Sequence, residues 1–299
     1  MNDTITLDPA TQRAAVSAVL RRAIDILAPH SESPRLDAEL LLAHVLRAPR
    51  SALIARSTQV LDGAALQSHV VVTGATLIGP RAKIFPFAAI GARSQDLLSG
   101  DGEGRVIVGA DCIIREGVTI SAGTRAGGSE TRLGDGCALL ANAHVAHDCR
   151  LGDRVTLSNG VLLGGHVQIG DDAMIGGGAA AHQRARIGAH VFVAGLAGIE
   201  GDIIPFALAG GHRAHLFGLN LVGLRRRGFS RARIGRLREA YRLLFPCEPA
   251  PREERIAALR RLAGDDPDIK LLLDFLAEPA ARPLATPRPG GFAHEAEDG

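Results

Sequence analysis

The sequence predicts a mainly β fold: a triangular parallel β-helix of hexapeptide repeats, with a C-terminal α-helical domain and a short N-terminal helical module. Three observations carry this. Through the middle of the chain an aliphatic residue recurs at every sixth position, and every third of these is followed by glycine. Aromatic residues make up only 3% of the 299 residues, with one Tyr and no Trp. An α-helix has a period near 3.6 and a strand a period of 2, so neither produces sixes. A coil with three short flat sides does, its turns stacking at the strand spacing of about 4.8 Å. The interior of such a coil is narrow, which explains the shortage of large aromatics.

The N-terminal module spans residues 1–57. Val16, Val19, Leu20, Ile24 and Leu27 fall at helical spacing. Ser33-Pro34 then reads as an N-cap and first helical residue, with Asp37 in the first turn and Leu40, Leu41, Val45 and Leu46 as the expected buried stripe. The β-helix is expected over 58–216. Its first run steps through Val60, Leu66, Val72, Ile78, Ile84 and Ile90, then resumes at Val108, Ile114 and Ile120, the gap from Ile90 to Val108 again being eighteen. Gly91 to Arg105 and Ser121 to Thr131 break the aliphatic steps and are expected to leave the wall as loops. From Leu133 the ladder reads Leu139, Val145, Leu151, Leu157, Leu163, Ile169, Ile175, Ala181, Ile187, Val193 and Ile199, with glycine after 133, 151, 169 and 187. The unit is thus six residues and the coil eighteen. Residues 217–278 return to helical texture, broken at Gly228 and at Pro246 to Pro251. The tail, 279–299, is rich in Pro, Ala and Gly and is expected to be disordered.

The net charge of +2 does not suggest a nucleic-acid binder. No apolar run reaches membrane-span length, and the N-terminus lacks the basic-then-apolar pattern of a signal peptide, so the cytoplasm is the expected compartment. Cys112, Cys137, Cys149 and Cys247 show no paired short spacing and read as buried thiols, not as ligands or disulfides.

Candidate chemistry follows from the eighteen-residue coil. His147 should stack on Gly165 and Gly165 on Gln183, while Asp148 stacks on His166. His144 precedes them on the same coil, and His182 lies one coil further. This grouping suits acyl transfer to a hydroxyl: a histidine as general base, a carboxylate to orient it, and a backbone N–H without an obstructing Cβ for the oxyanion. An outward histidine on a solenoid is otherwise a solvated side chain, the reading preferred for His190 and His212. Clustered imidazoles could also hold zinc. The spacing His144-x-x-His147 differs from the HxxxxH pairing of the hexapeptide-repeat carbonic anhydrases, so no metal and no cofactor is expected. Eight arginines lie between Arg225 and Arg242, either a solvated face or a surface for phosphate or an acidic partner.

The stretches "LQSHVVVTGATLIG", "FAAIGARSQDL", "ANAHVAHDCRLGDR", "LLGGHVQIGDDAMIGGGAAAHQ", "FGLNLVGLRRRGFSR" and "LREAYRLLF" resemble the acyl-carrier-protein-dependent UDP-N-acetylglucosamine O-acyltransferases of lipid A biosynthesis, over residues 60–278. The resemblance implies a left-handed β-helix and a homotrimer with active sites between adjacent helices. It further implies transfer of a (3R)-hydroxyacyl group from acyl-carrier protein to the 3-hydroxyl of UDP-N-acetylglucosamine. On matching positions, His147 is the implied general base with Asp148 beside it, and Gly165 the oxyanion donor. Asp96, His144, His166, His182, Gln183, Asn220, Arg226 and Arg227 are implied substrate contacts, and Gly195 lines the acyl tail. The chain departs from the family at Leu98, Ser121, Ala122 and Val222, where the family carries lysine, histidine, arginine and an acidic residue. These departures leave room for a different UDP-sugar or a 3-amino sugar as acceptor, or for a non-catalytic carrier-binding relative. Residues 10–56, with "SESPRLDAELLLAHVLRAPRSAL", resemble the helical N-terminal domain of release-factor glutamine methyltransferases, but the NPPY motif of methylation is absent from the chain. The module therefore reads as a fused docking or capping element.

Overall fold

The computed structural model describes residues 22–30, 33–45, 59–60, 63–97 and 104–288. Among these the dominant body is a left-handed parallel β-helix with three faces. Its sheets have seven, nine and seven strands, mostly two residues long, from Gln59–Val60 to His215–Leu219. In the two-residue strands from Val71–Val72 onward the second residue points inward and is buried. The sixfold aliphatics from Ile78 through Ile199 form one continuous core. Leu133 pairs with Leu151, Leu151 with Ile169 and Ile169 with Ile187, one coil of eighteen residues at each step.

Two smaller features of the hexad complete the wall. A small residue two places before each aliphatic, such as Cys137, Ala143, Cys149, Val155 and Val161, is fully buried at the corner. The residue before that one turns the corner in the left-handed region: Asp148, Arg154, His166, Asp172, Arg184 and His190 have φ between 55° and 64°. Of the four cysteines, Cys112, Cys137 and Cys149 are buried corner residues, whereas Cys247 is exposed, against the expectation for it. Burial pushes the Cys149 thiol up to about 12, so it stays protonated.

The two interruptions leave the wall as expected, the first between Ala92 and Arg105. Ile78 pairs with Val108 and Ile90 with Ile120, so the gap from Ile90 to Val108 is not a turn of the helix. These partners are thirty residues apart instead of eighteen, so twelve extra residues are inserted between Ala92 and Arg105. The second loop follows Thr119–Ser121 and rejoins at Glu130–Leu133, where Glu130 pairs with Arg105. It contains a short 3-10 turn, Arg125–Gly127, capped by the Thr124 hydroxyl, which accepts from Gly127 N–H.

In the N-terminal module, residues 22–27 are helical and α1 runs Pro34–Val45 with Asp37 in its first turn. Leu40 and Leu41, expected to be buried, are 50% and 58% exposed. Residues 11–21, and Leu46 of the expected stripe, lie outside the described residues. At the other end, Asn220 caps α2 (Leu221–Arg226) and Ser230 caps α3 (Arg231–Leu244). The helices α4 (Arg252–Ala263) and α5 (Pro267–Ala277) complete the domain, the latter opened by Asp266 and Pro267 as cap and first residue. Pro279 onward was expected to lack structure. Residues 279–288 instead return along the last coils, with bridges from Asp202 to Leu284 and from Leu216 to Pro287. Residues 289–299 lie outside the described part.

Candidate active site

The coil that carries His144–Val145 ends in a corner, and His147 and Asp148 occupy it. Both are buried, at 5% and 4% exposure. His147 Nδ1 lies 2.8 Å from Asp148 Oδ2. An ionised carboxylate can only accept, so Nδ1 carries the proton and Nε2 is left free to take one. Asp148 is itself fixed from the second loop: Thr124 N–H donates to Oδ1 (3.0 Å) and the Thr124 hydroxyl donates to Oδ2 (2.6 Å). Asp148 N–H donates to Thr131 Oγ1 at 2.8 Å. The loop approaches so closely that a Cβ on Gly127 would stand 2.1 Å from Asp148 Oδ2.

One coil on, Gly165 faces the other side of the imidazole. A Cβ there would stand 2.4 Å from His147 Nε2 and 2.5 Å from Cε1, so only glycine leaves Nε2 open. Its neighbours are tied into the ladder, Gly164 N–H to Ala181 O and His166 N–H to His147 O. Among the described residues Gly165 N–H has no protein acceptor, as an oxyanion donor requires. The stacking expected from spacing is therefore present: His166 N–H bonds His147 O, and Arg184 N–H bonds Gly165 O, each at 2.9 Å.

The remaining histidines divide. His166 packs edge-on to His147 at 5.0 Å between ring centres, with Nε2 4.0 Å from Asp148 Oδ2. Burial, helped by Arg184, holds His166 below the usual imidazole value, and burial does the same for His144. His144 shares a hydrogen bond of 2.7 Å with the Thr119 hydroxyl. The ligand-capable atoms of His147, Asp148 and His166 lie within 4.8 Å of one another and are the described residues that could hold a metal. The hydrogen bonds already on Asp148 fit a carboxylate that orients an imidazole better than one that ligates. Asp96, in the first loop, is near enough to act electrostatically on His166. His182 and Gln183 sit a coil further along and are both in contact with Arg282.

The other predicted contacts are elsewhere on the chain. Met174, Phe192, Leu208 and Phe217 line an apolar groove of about 720 Å³, whose mouth carries Asn220, Val222, Arg226 and Arg227. Asn220 is a structural cap as well, its Nδ2 donating to His190 O at 2.9 Å. Arg227 donates to Asp172 O and pairs with its carboxylate, while Arg226 is exposed. Gly195 is an exposed corner residue on the coil of Phe192 but does not line the groove. Leu98 lies outside the described residues. His190 is not solvated, as the sequence suggested. It stacks on Phe206 and meets Phe229 edge-on. Spacing missed Thr124, because the loop that brings it breaks the period, and it missed Arg282 because nothing periodic marks it; Thr131, in the strand Glu130–Leu133 and eighteen before Cys149, was within reach of the spacing.

A family described as UDP N-acetylglucosamine O-acyltransferase, domain 2, matches residues 202–284, and bacterial transferase hexapeptide repeats match 130–165. The acyl-[acyl-carrier-protein]–UDP-N-acetylglucosamine O-acyltransferase of Rhizobium etli is 44% identical over 225 residues, 75% of this chain and 82% of that one. The chain belongs to this acyltransferase family. A solved UDP-N-acetylglucosamine acyltransferase superposes with a TM-score of 0.74 at 33% identity, covering 78% of this chain and 89% of that one. The Francisella novicida enzyme of the same name superposes with a TM-score of 0.72 at 26% identity, covering 81% and 96%. The acyltransferase domain is preceded by a match to the PrmC N-terminal domain over residues 18–68, in line with the methyltransferase-like module read from the sequence.

Proposed function

We propose that this enzyme moves a (3R)-hydroxyacyl group from acyl-carrier protein to the 3-hydroxyl of UDP-N-acetylglucosamine, the first step of lipid A biosynthesis, with His147 as general base. His147 Nε2 takes the proton of the sugar hydroxyl as its oxygen attacks the thioester carbonyl. Asp148 holds the ring by Nδ1–H and supports the imidazolium that forms. Gly165 N–H donates to the developing oxyanion. Collapse expels the carrier's thiolate, which receives the proton back from His147, so the base is regenerated and no cofactor is consumed. The observation that carries this reading is the buried His147–Asp148 couple with Gly165 held open against Nε2.

The working unit is a homotrimer, in which the apolar groove of one protomer faces the His147 corner of the next and takes the acyl tail. His144, His166, His182, Gln183 and Asp96 contact the sugar nucleotide, and Arg226 and Arg227 meet phosphate or the acidic carrier. Val222, 59% exposed at the groove mouth where the family has an acidic residue, favours a second reading with another UDP-sugar or a 3-amino sugar as acceptor. Purified protein incubated with hydroxyacyl carrier protein and a panel of UDP-sugars separates them. Turnover of UDP-N-acetylglucosamine supports the first reading, turnover of another sugar alone the second, and none at all a carrier-binding relative.

A further inference from the structure

We propose that Arg282 binds the diphosphate of the nucleotide-sugar substrate, an inference that rests on the reaction just described. The segment after α5 is tied to the end of the β-helix by backbone bonds. Asp202 N–H donates to Pro283 O, Ala285 N–H to Asp202 O and Leu216 N–H to Thr286 O, at 2.8 to 3.0 Å. Ala285, within this segment, is buried. This strap sets Arg282 on the same corner of the helix as the catalytic pair.

Arg282 Nε–H donates to Gln183 O at 2.9 Å, and a terminal guanidinium nitrogen rests on the His182 ring. His147, Gly165 and Gln183 stand on successive coils of this corner, so the guanidinium is two strand spacings, about 10 Å, from the base. Three arginines of the C-terminal domain are committed to carboxylates, Arg227 to Asp172, Arg233 to Asp268 and Arg236 to Asp266. Among the described residues Arg282 has no carboxylate partner. Arg184, on the same corner, adds a second positive charge that is felt at His166. A guanidinium with donors to spare beside a second cation is a fork for phosphate oxygens.

The distance selects which phosphate. In a nucleotide sugar the diphosphate hangs directly from the ring whose 3-hydroxyl meets His147. The carrier's phosphate is separated from the thioester by the whole pantetheine arm and lies much farther from the base. The Arg282 fork is therefore within reach of the sugar's diphosphate.

The test compares full-length wild type, Arg282→Gln and Arg282→Lys, each checked for an unchanged melting temperature. UDP and uridine are titrated calorimetrically, and both KM values are measured with hydroxyacyl carrier protein and UDP-N-acetylglucosamine. Loss of a charge-assisted fork should weaken UDP binding roughly tenfold or more in Arg282→Gln and leave uridine unchanged. KM for the sugar nucleotide should rise in step while KM for the carrier holds, and Arg282→Lys should recover part of the loss. Unchanged UDP affinity in Arg282→Gln overturns the proposal, and so does equal weakening of UDP and uridine. A rise confined to the carrier KM overturns it too, placing the carrier's phosphate there instead. Wild type that binds UDP but acylates no UDP-N-acetylglucosamine sinks the reaction and not the phosphate site, so the two failures are told apart.

Discussion

Gly165→Ala is the sharpest probe of the catalytic corner, because its effect follows from one measured approach. The added methyl carbon would stand 2.4 Å from His147 Nε2 and 2.5 Å from Cε1. Ordinary contact between such atoms begins near 3.5 Å, so the imidazole or the corner must yield by about 1 Å. Gly165 lacks the left-handed φ of its corner neighbours, so alanine adds no backbone strain of its own. The imidazole, anchored at Nδ1 to Asp148, can move only by weakening that 2.8 Å bond or by withdrawing Nε2 from the substrate. A displacement of about 1 Å in a positioned group costs roughly 10²-fold in rate. Wild type and variant should be compared for kcat, both KM values and melting temperature. The expected outcome is kcat lower by about 10²-fold with a melting temperature within a few degrees of wild type. Retention of kcat within threefold would refute the view that Nε2 is the reacting atom and that Gly165 keeps it clear.

His147→Ala should lower kcat by about 10²–10⁴-fold with the fold intact, and addition of a chelator to wild type should change nothing. Strong inhibition by chelator would instead favour a metal at His147, Asp148 and His166. Charge reversal separates the two groove arginines. Arg226→Glu should raise KM for carrier or nucleotide sugar and leave stability alone, whereas Arg227→Glu should also lower the melting temperature, because it faces Asp172. Equal melting temperatures for the two would contradict that pairing. Gly195 stands outside the groove, so Gly195→Met should leave the preferred acyl length unchanged in a chain-length donor series, and a shift toward shorter donors would put Gly195 in the tail's path after all. His190, His166 and His144 are held below the usual imidazole value mainly by burial, so the folded chain resists protons that the unfolded chain accepts. Stability present above about pH 6.5 should therefore fall as the pH drops through that value toward 5. Asp172 and Glu130, lowered below the ordinary carboxylate value, lose their contribution only below about pH 4. His190→Gln should flatten the melting temperature between pH 7.5 and 5, and an unchanged slope would exclude His190 as a source.

The β-helix was legible because its physics repeats. Each coil must place one aliphatic on each of three sides, so Leu133 through Ile199 mark the core in sixes. The same eighteen-residue arithmetic stacks Gly165 on His147 and His166 on Asp148. Spacing fails where the chain leaves the repeat. Ile90 and Val108 are eighteen apart and yet are not partners, because a twelve-residue loop coincides with the period.

What only the tertiary structure decides is what the irregular segments bring to the regular corner. Thr124 and Gly127 come from a loop, and no period in the sequence says that it folds over Asp148. Leu40 and Leu41 have helical spacing, but burial needs a partner surface as well as a stripe, and both are exposed. His190 looks like any outward corner histidine until Phe206 and Phe229 close around it. The segment after Pro279 has the composition of a disordered tail, but composition does not register the backbone edge left unpaired at the last coils. Asp202 and Leu216 supply that edge, and the chain that pairs with it carries Arg282 to Gln183. The sequence by itself determined the repeat and the residues stacked by it, since these depend on local chain geometry. Contacts between segments far apart in sequence depend on which surfaces meet, and the folded chain alone settles those.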